Sequence, residues 1–370
     1  MKHAVMYFGF NNPHGHKRGV ENVIEVQAGA LPAHNRKYYL FFDARPSVTR
    51  WGDIIAIGIK FGPLRFIITN IIVAKLLHRL RRSGFDVILH SHNYLISLFL
   101  WWKSDLFSVH DGLWYQMKSV GRRSLIFWGV ERIVYRRSKN LHCNSRFTYE
   151  NSLLPKAGKP VHIIYCSTPI ERRRSEGLQN PLRLTPKDTS MVFSVRSIEP
   201  RARIDLLVEV AERARDRQLP LSFFVAGKGP LLQHYQDEIS RRGLTNIKLL
   251  GYVSDSELAR LYAGCDCVLM TCEYGEGFGI PIIEGYLFGK TVLGSNRCAV
   301  PEILICQDHL VENDPEDVLR QLVALHISPA ASEKVESYYD QTFSNAVITA
   351  EFQVLYDAVF SPSRPVVATP

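Results

Sequence analysis

The sequence predicts an α/β protein of two Rossmann-like domains facing across a cleft. Three observations carry that expectation. The chain has 370 residues, enough for two separate cores. Strand, glycine-bearing loop and helix follow one another near the N-terminus, the opening of a nucleotide-binding α/β domain, and in the second half strand Leu221–Ala226 runs into Gly227-Lys228-Gly229-Pro230 and a helix. Charge divides the chain: residues 1–170 hold 24 Lys/Arg against 9 Asp/Glu, and residues 171–370 hold 21 against 27. The expected boundaries are a first domain over 1–170, a polar arginine-rich linker over 171–189, a second domain over 190–342, a helix over 343–360 and a loose tail over 361–370.

Composition narrows the classes. Apolar content is ordinary for a globular protein, and Met1-Lys2-His3 leads into a strand with no signal-peptide pattern, which points to a cytoplasmic chain. The seven cysteines are scattered; Cys265, Cys267 and Cys272 fit no zinc spacing and read as buried thiols. The basic first half could meet anionic lipid or phosphate, and no nucleic-acid module is recognisable in it.

Ala4 to Phe10 reads as the first strand, followed by a loop with His14 and His16 and a helix from Val20. The two histidines are candidate metal ligands, weighed against a solvated loop. Lys37 to Asp43 is the next strand. Phe61 to Arg82 reads as a helix whose charge-free run, Phe66 to Ala74, is too short to span a bilayer. Core packing explains it, as does an interfacial helix on anionic lipid. Val87 to Trp102 reads as strand, polar turn and helix. The strands ending at Leu89 and Val109 run into His90-Ser91-His92-Asn93 and His110-Asp111-Gly112. In a parallel sheet such ends border the ligand crevice, so His90, His92, Asn93, His110 and Asp111 are acceptor-side candidates. Leu113 to Arg137 is basic and aromatic, including Arg122 and Arg123. The last two strands of the domain fall at Leu141–Asn144 and Val161–Tyr165.

In the second half, strand Met191–Val195 precedes Arg196, and Leu221–Ala226 precedes Gly227-Lys228-Gly229-Pro230. The latter turn lacks the third glycine and distal acid of a dinucleotide fingerprint. Leu249–Val253 meets Ser254-Asp255-Ser256-Glu257, a capping box. The densest stretch is 271–296. A strand from Cys267 to Met270 enters a glycine-broken loop with Glu273 and Glu276, and a helix starts near Gly279 with Pro281 in its first turn. Free N–H groups at that start suit a phosphate, and Glu276 and Glu284 can flank it. Acids beside an anion site suggest a sugar nucleotide. Two final helices read at Pro315–His326 and Ser344–Phe360.

The spacing of Glu276 and Glu284, with Gly277-Phe278-Gly279 between them, resembles the signature of retaining family 4 glycosyltransferases of the GT-B fold. The likeness is dense over 191–315 and thin before 170. It implies sugar transfer from a nucleotide donor with retention of configuration, no cofactor and no obligatory metal. Implied roles follow. Glu276 holds the transferred sugar, and Glu284 the ribose. Arg196 and Arg201, with the N–H groups of Gly279 and Ile280, hold the diphosphate. Gly19, Gly227, Tyr252, Val253, Gly277 and Phe278 line the donor site. His110 stands near sugar and acceptor, and the catalytic set is Glu276, His110, Arg196 and Arg201. The family lysine is missing: counting from Arg196 gives Arg201 or Ala202, counting back from Ile204 gives Ala202, and Arg203 is a substitute. Tyr165-Cys166-Ser167-Thr168 replaces the family's Asn-Gly-Val-Asp. The implied partners are a nucleotide-sugar, a saccharide acceptor that could be lipid-linked, and an anionic membrane on the cytoplasmic face, as in envelope polysaccharide assembly. A related epimerase or phosphorylase, and a non-catalytic scaffold, remain open as other readings.

Overall fold

A computed structural model describes residues 2–14, 19–116, 124–327 and 332–361. The chain divides into two compact units. One comprises Met1–Ser167 with the segment from Asn345 onward, the other Thr168–Ser344. His16, Arg18, Arg122, Arg123 and the tail after Ser361 lie outside the described residues.

The first unit carries β1 (Lys2–Phe8), β2 (Arg36–Asp43), β3 (Ser47–Trp51), β4 (Ile54–Lys60), β5 (Phe85–Ser91), β6 (Ser104–Val109), β7 (Ser138–Cys143) and β8 (Val161–Ile163). They form one sheet in the order β3-β4-β2-β1-β5-β6-β7-β8. All neighbours are parallel except β3 and β4. The central strands are apolar throughout: Ala4 to Phe8 and Tyr38 to Phe42 are buried without alternation, as expected of a sheet covered on both faces. The β3–β4 hairpin was not anticipated. Its signal is Trp51-Gly52-Asp53-Ile54, a two-residue turn in which Gly52 takes φ 59°. The Asp53 carboxylate accepts a bond from buried Lys37, tying the turn to β2.

The helix Arg65–Arg82 buries Val73, Leu77 and Leu80 against β1, β2 and β5. The helix Tyr94–Phe99 starts at Asn93, whose side chain accepts from the Ile96 N–H. The last helix, Asn345–Phe360, belongs to this unit and packs Ile348, Phe352, Leu355 and Tyr356 against Val5, Tyr7, Ile24 and Ile88.

The second unit carries β9 (Ser190–Val195), β10 (Leu221–Ala226), β11 (Ile247–Gly251), β12 (Cys267–Met270), β13 (Thr291–Ser295) and β14 (Leu310–Val311). They form a parallel sheet in the order β11-β10-β9-β12-β13-β14. The order reverses between β9 and β12, which puts the loops after both strands at the switch point where ligands bind such sheets.

Residues 171–189 are not an extended linker. The segment 169–179 forms a 3-10 turn, Pro169–Arg173, and a helix, Arg174–Gln179, packed on the helix Asp255–Gly264. Gly177 allows that contact, since a Cβ there would stand 2.6 Å from the Ala259 carbonyl oxygen. Arg174 also pairs with Glu336 and Asp340, and Tyr339 donates to Glu171. The arginines that read as solvated linker are held by carboxylates of the same unit.

Candidate functional site

In the second unit the loop after β12 gathers most of the expected donor residues. Gly279 starts the helix Ile280–Leu287 at φ 98°, a conformation a side chain rarely adopts. Gly279 has no side chain to cap that helix; Pro281 has no N–H and the Ile282 N–H donates to the Gly279 carbonyl, so the Gly279 and Ile280 N–H groups are the ones an anion could take. Arg196, at the end of β9, is only 8% exposed and donates to the Glu276 carboxylate at 2.8 Å. Its Nε has no hydrogen-bond partner. A buried guanidinium with an idle donor costs free energy, and a ligand oxygen would remove that cost.

The loop carrying Arg196 is shaped by the Gly227-x-Gly229 turn. A Cβ on Gly227 would lie 1.8 Å from the Arg196 carbonyl oxygen, and one on Gly229 would lie 2.2 Å from that of Ile198. Gly227, expected to line the donor site, therefore has a scaffolding part: it lets the two loops close on one another. The Ile198 N–H donates to the Lys228 carbonyl and the Leu231 N–H to that of Ile198.

The three positions weighed for the missing lysine are held in different ways. Arg203 has φ 55°, a left-handed cap, and its side chain is pinned by Asp205 and Glu273. The Glu273 carboxyl is held below the usual range, chiefly by the Arg203 hydrogen bond. Ala202 is buried, and its carbonyl accepts from Thr271. Arg201 donates to the Gly275 carbonyl at 2.7 Å. Both arginines thus contact the loop that carries Glu276, Arg203 through the Glu273 carboxylate and Arg201 through the Gly275 carbonyl.

Glu284 is buried one turn into the helix. One carboxylate oxygen accepts from Thr168 at 2.7 Å and the other from Tyr262 at 2.8 Å. Neither partner was anticipated; Thr168 sits in the segment that replaces Asn-Gly-Val-Asp. Each oxygen keeps a second lone pair for a ligand hydroxyl. Burial pushes the carboxyl up to about 7, against the two hydrogen bonds that lower it. Because the native state holds the proton more tightly, stability falls as pH rises from 4.5 to about 7. Glu284→Gln is therefore expected to flatten that slope and raise the melting temperature at pH 8, while weakening nucleoside binding. Thermal melts at pH 5 and pH 8, with a binding titration, check both.

Phe278 is buried and packs edge-on to Phe343, so its side chain serves the core and only its backbone is left for a ligand. Gly277 is buried in the same loop. Tyr252 is 63% exposed beside Val253, with the Lys228 ammonium 5.1 Å from its ring centre. That open aromatic face suits a base.

In the first unit Gly19 is exposed at the start of the helix Gly19–Gly29. Glu21 is buried and accepts from Asn11 and Tyr39. His14 meets Thr49 at 3.1 Å, and among the described residues no group of three or more His, Cys, Asp or Glu is placed to hold a metal.

The acceptor-side candidates separate into two sets. His90 is fully enclosed, which removes it from ligand contact and corrects the sequence expectation. It belongs to a hydrogen-bond chain whose direction can be derived. The Ile164 carbonyl can only accept, so His142 Nε2 donates to it and His142 Nδ1 accepts from Ser108. Ser108 Oγ then accepts from His90 Nε2, and His90 Nδ1 accepts from Tyr356, which in turn accepts from Tyr7. The chain fastens the last helix to the sheet. Asn93 is likewise occupied as a helix cap. His92 and His110 remain, joined through Nδ1 and Nε2 at 2.9 Å, with His110 partly exposed. His92 Nε2 is buried without a partner. Burial lowers His110 to about 4, so it stands as a neutral imidazole at pH 7. Asp111 follows it, its carbonyl accepting from Tyr94.

A model of glycosyl transferases group 1 matches residues 181–338, and one of glycosyltransferase family 4 matches residues 17–172. The chain belongs to the group 1 glycosyltransferases. Its fold is GT-B. Sucrose-phosphate synthase of Thermosynechococcus elongatus superposes with a TM-score of 0.77 at 16% identity, covering 98% of this chain and all of that one. Anabaena HepE, solved in complex with UDP-glucose, gives 0.71 at 15% identity over 96% and 99% of the two chains. WaaG, a glycosyltransferase involved in lipopolysaccharide biosynthesis, gives 0.68 at 14% over 95% and 99%. At such identities the likeness concerns the fold. Among curated relatives of this group 1 member, the O-antigen chain mannosyltransferase B of Escherichia coli is 28% identical over 166 residues, 45% of this chain and 35% of that protein. The serotype-specific mannosyltransferase WbdA of Escherichia coli is 28% identical over 137 residues, 35% of this chain and 16% of that protein. The matches thus span well under two thirds of these relatives.

Proposed function

We propose that this chain is a retaining glycosyltransferase that moves a sugar from a nucleotide-sugar to a saccharide acceptor in envelope polysaccharide assembly. The observation that carries the reading is the buried Arg196–Glu276 pair beside the uncapped helix start at Gly279. In this reading Arg196, Arg201 and the N–H groups of Gly279 and Ile280 take the diphosphate, whose negative charge grows as the sugar leaves. These fixed positive charges are the reason no metal is invoked. Glu276 turns from Arg196 to the sugar hydroxyls, Glu284 holds the ribose and Tyr252 covers the base. His110, neutral, stands at the acceptor. The leaving phosphate accepts the acceptor proton on the face it departs from, which gives retention. The mannosyltransferase names of the relatives put mannose first among sugars to test.

The test incubates the protein with UDP-, GDP- and dTDP-sugars, mannose donors included, and an envelope-type saccharide, and reads the new anomeric proton by NMR. An α-donor yielding an α-product supports the reading; inversion contradicts it. A scaffold without catalysis is the second reading, favoured by the burial of Ala202 near the lysine position. Donor binding with no hydrolysis and no transfer would select it.

A lipid-linked acceptor at the cytoplasmic face of a membrane completes the proposal. No helix among the described residues is long and apolar enough to cross one. Its support is a set of exposed apolar side chains on a basic unit. Ile67 and Ile71 on the helix Arg65–Arg82 stand beside Phe99 and Trp101, which Asn70 clasps through the Phe99 carbonyl and the Trp101 N–H. Lys75, Arg79, Arg81 and Arg82 follow on the same helix. Reversing these four charges is expected to abolish binding to anionic vesicles; unchanged binding in a flotation assay would remove the membrane from the account.

A further inference from the structure

Two cysteines at the foot of the donor loop have no part in the chemistry described so far. Cys272 is the second residue after β12 and is buried; Cys298 lies in the turn after β13, is half-exposed, and adopts φ 55°. Each thiol reaches the backbone next to the other: Cys272 Sγ lies 3.9 Å from the Arg297 carbonyl oxygen, and Cys298 Sγ lies 4.0 Å from that of Glu273. The turn is also knitted to the loop through the Ala299 N–H, which donates to the Glu276 carbonyl at 3.2 Å. The Cys272 N–H is held by Ser295.

We propose that Cys272 and Cys298 form a reversible disulfide on reaction with a hydroperoxide, and that this bond disables the Glu276 loop. The role of the loop in donor binding comes from the function proposed above; the thiol chemistry stands apart from it. The neighbouring Cys272 and the backbone of Glu276 and Gly275 lower the Cys298 thiol to about 7, against its burial. Cys272 is pushed up, chiefly by Cys298 beside it and then by burial. Cys298 is the more acidic and the more exposed of the two thiols, so it is the one that meets an oxidant first.

The Cys298 thiolate attacks one peroxide oxygen; the S–O bond forms, the O–O bond breaks, and the departing oxide takes a proton. Cys272 then attacks the sulfenic sulfur, its proton leaving with the hydroxyl as water, and the S–S bond closes. Two thiols lose two electrons to the peroxide. The sulfur whose negative form the backbone of Glu276 and Gly275 favours becomes a neutral disulfide sulfur, a poor acceptor. The Gly275 carbonyl that Arg201 binds and the carboxylate that Arg196 binds sit on those same two residues.

The experiment treats the reduced full chain with hydrogen peroxide and maps unreduced peptides by mass spectrometry. A Cys272–Cys298 cross-link is expected, reversed by dithiothreitol. Hydrogen exchange at Gly275 and Glu276 is expected to quicken in the oxidised protein, and donor affinity to fall at least tenfold and return on reduction. Cys272→Ser should leave Cys298 as a sulfenic acid that dimedone traps, and Cys298→Ser should respond to peroxide by neither route. Absence of the cross-link overturns the proposal, and so does a cross-link that leaves exchange across residues 271–279 unchanged. The cross-link and exchange readouts need no nucleotide, so a failure of the glycosyl-transfer reading would be seen separately.

Discussion

Arg196→Ala is expected to lower turnover of the nucleotide-sugar about a hundredfold to a thousandfold, the usual loss when a fixed donor to developing negative charge is removed. The variant should also be destabilised. Its Glu276 carboxylate stays largely enclosed but loses the guanidinium 2.8 Å away. Breaking a buried pair from one side costs about 3–5 kcal/mol, and the residual exposure of Glu276 puts this case at the low end. The two effects separate in a double variant. Arg196→Ala with Glu276→Gln should recover most of the melting temperature, because no unpaired charge remains, and recover none of the activity. Arg196→Lys should keep the charge and lose the planar fork, retaining part of the binding. Melts and steady-state kinetics on the four proteins check the scheme.

Acidification is expected to unfold the first unit well before the second. His90, His92, His110 and His142 lie close together there, and burial lowers all four from 6.5, His110 to about 4 and His142 to about 3. Their neutral form is the native one, since the chain from Tyr7 to Ile164 needs one accepting nitrogen on each of His90 and His142. The unfolded chain takes up protons below 6.5 while the folded unit refuses them, so stability is full above that pH and drains below it. Each histidine costs about 1.4 kcal/mol per pH unit, or about 2 kcal/mol at pH 5. Together they approach the ~5–15 kcal/mol that holds a typical domain. Glu284 in the other unit has the opposite slope. Denaturant melts at pH 7 and pH 5, followed by tryptophan fluorescence, should show the transition moving sharply; the five tryptophans all fall within the first unit. His142→Phe should lessen the pH dependence by roughly the share of one histidine.

The loop that carries Glu276 was legible in the sequence because its parts are local. A strand, two glycines, an acid and Pro281 within a few residues place Glu276 beside a helix start, whatever the rest of the chain does. The continuously apolar strands and the helices 65–82 and 345–360 were legible for the same reason. What escaped were contacts between residues far apart. Nothing near Glu284 announces Thr168, 116 positions away, and nothing near His90 announces Tyr356, 266 positions away. His90 and Asn93 looked like site residues because polar side chains follow a strand; one closes a buried chain and the other caps a helix. The stretch at 171–189 looked like a linker because it is polar, arginine-rich and holds Pro181 and Pro186; Glu336, Asp340 and Asp266 hold its arginines from later in the chain. The Gly52-Asp53 turn was a readable local signal that the flanking apolar run obscured.

The measurement that bears most directly on the central claim is a calorimetric titration of UDP-, GDP- and dTDP-sugars into wild type and Glu276→Gln, each first shown to be folded. The account predicts saturable binding of one donor to wild type and loss of at least tenfold in affinity in the variant. A folded wild-type protein that binds none of them, or a variant that binds as tightly as wild type, would contradict it.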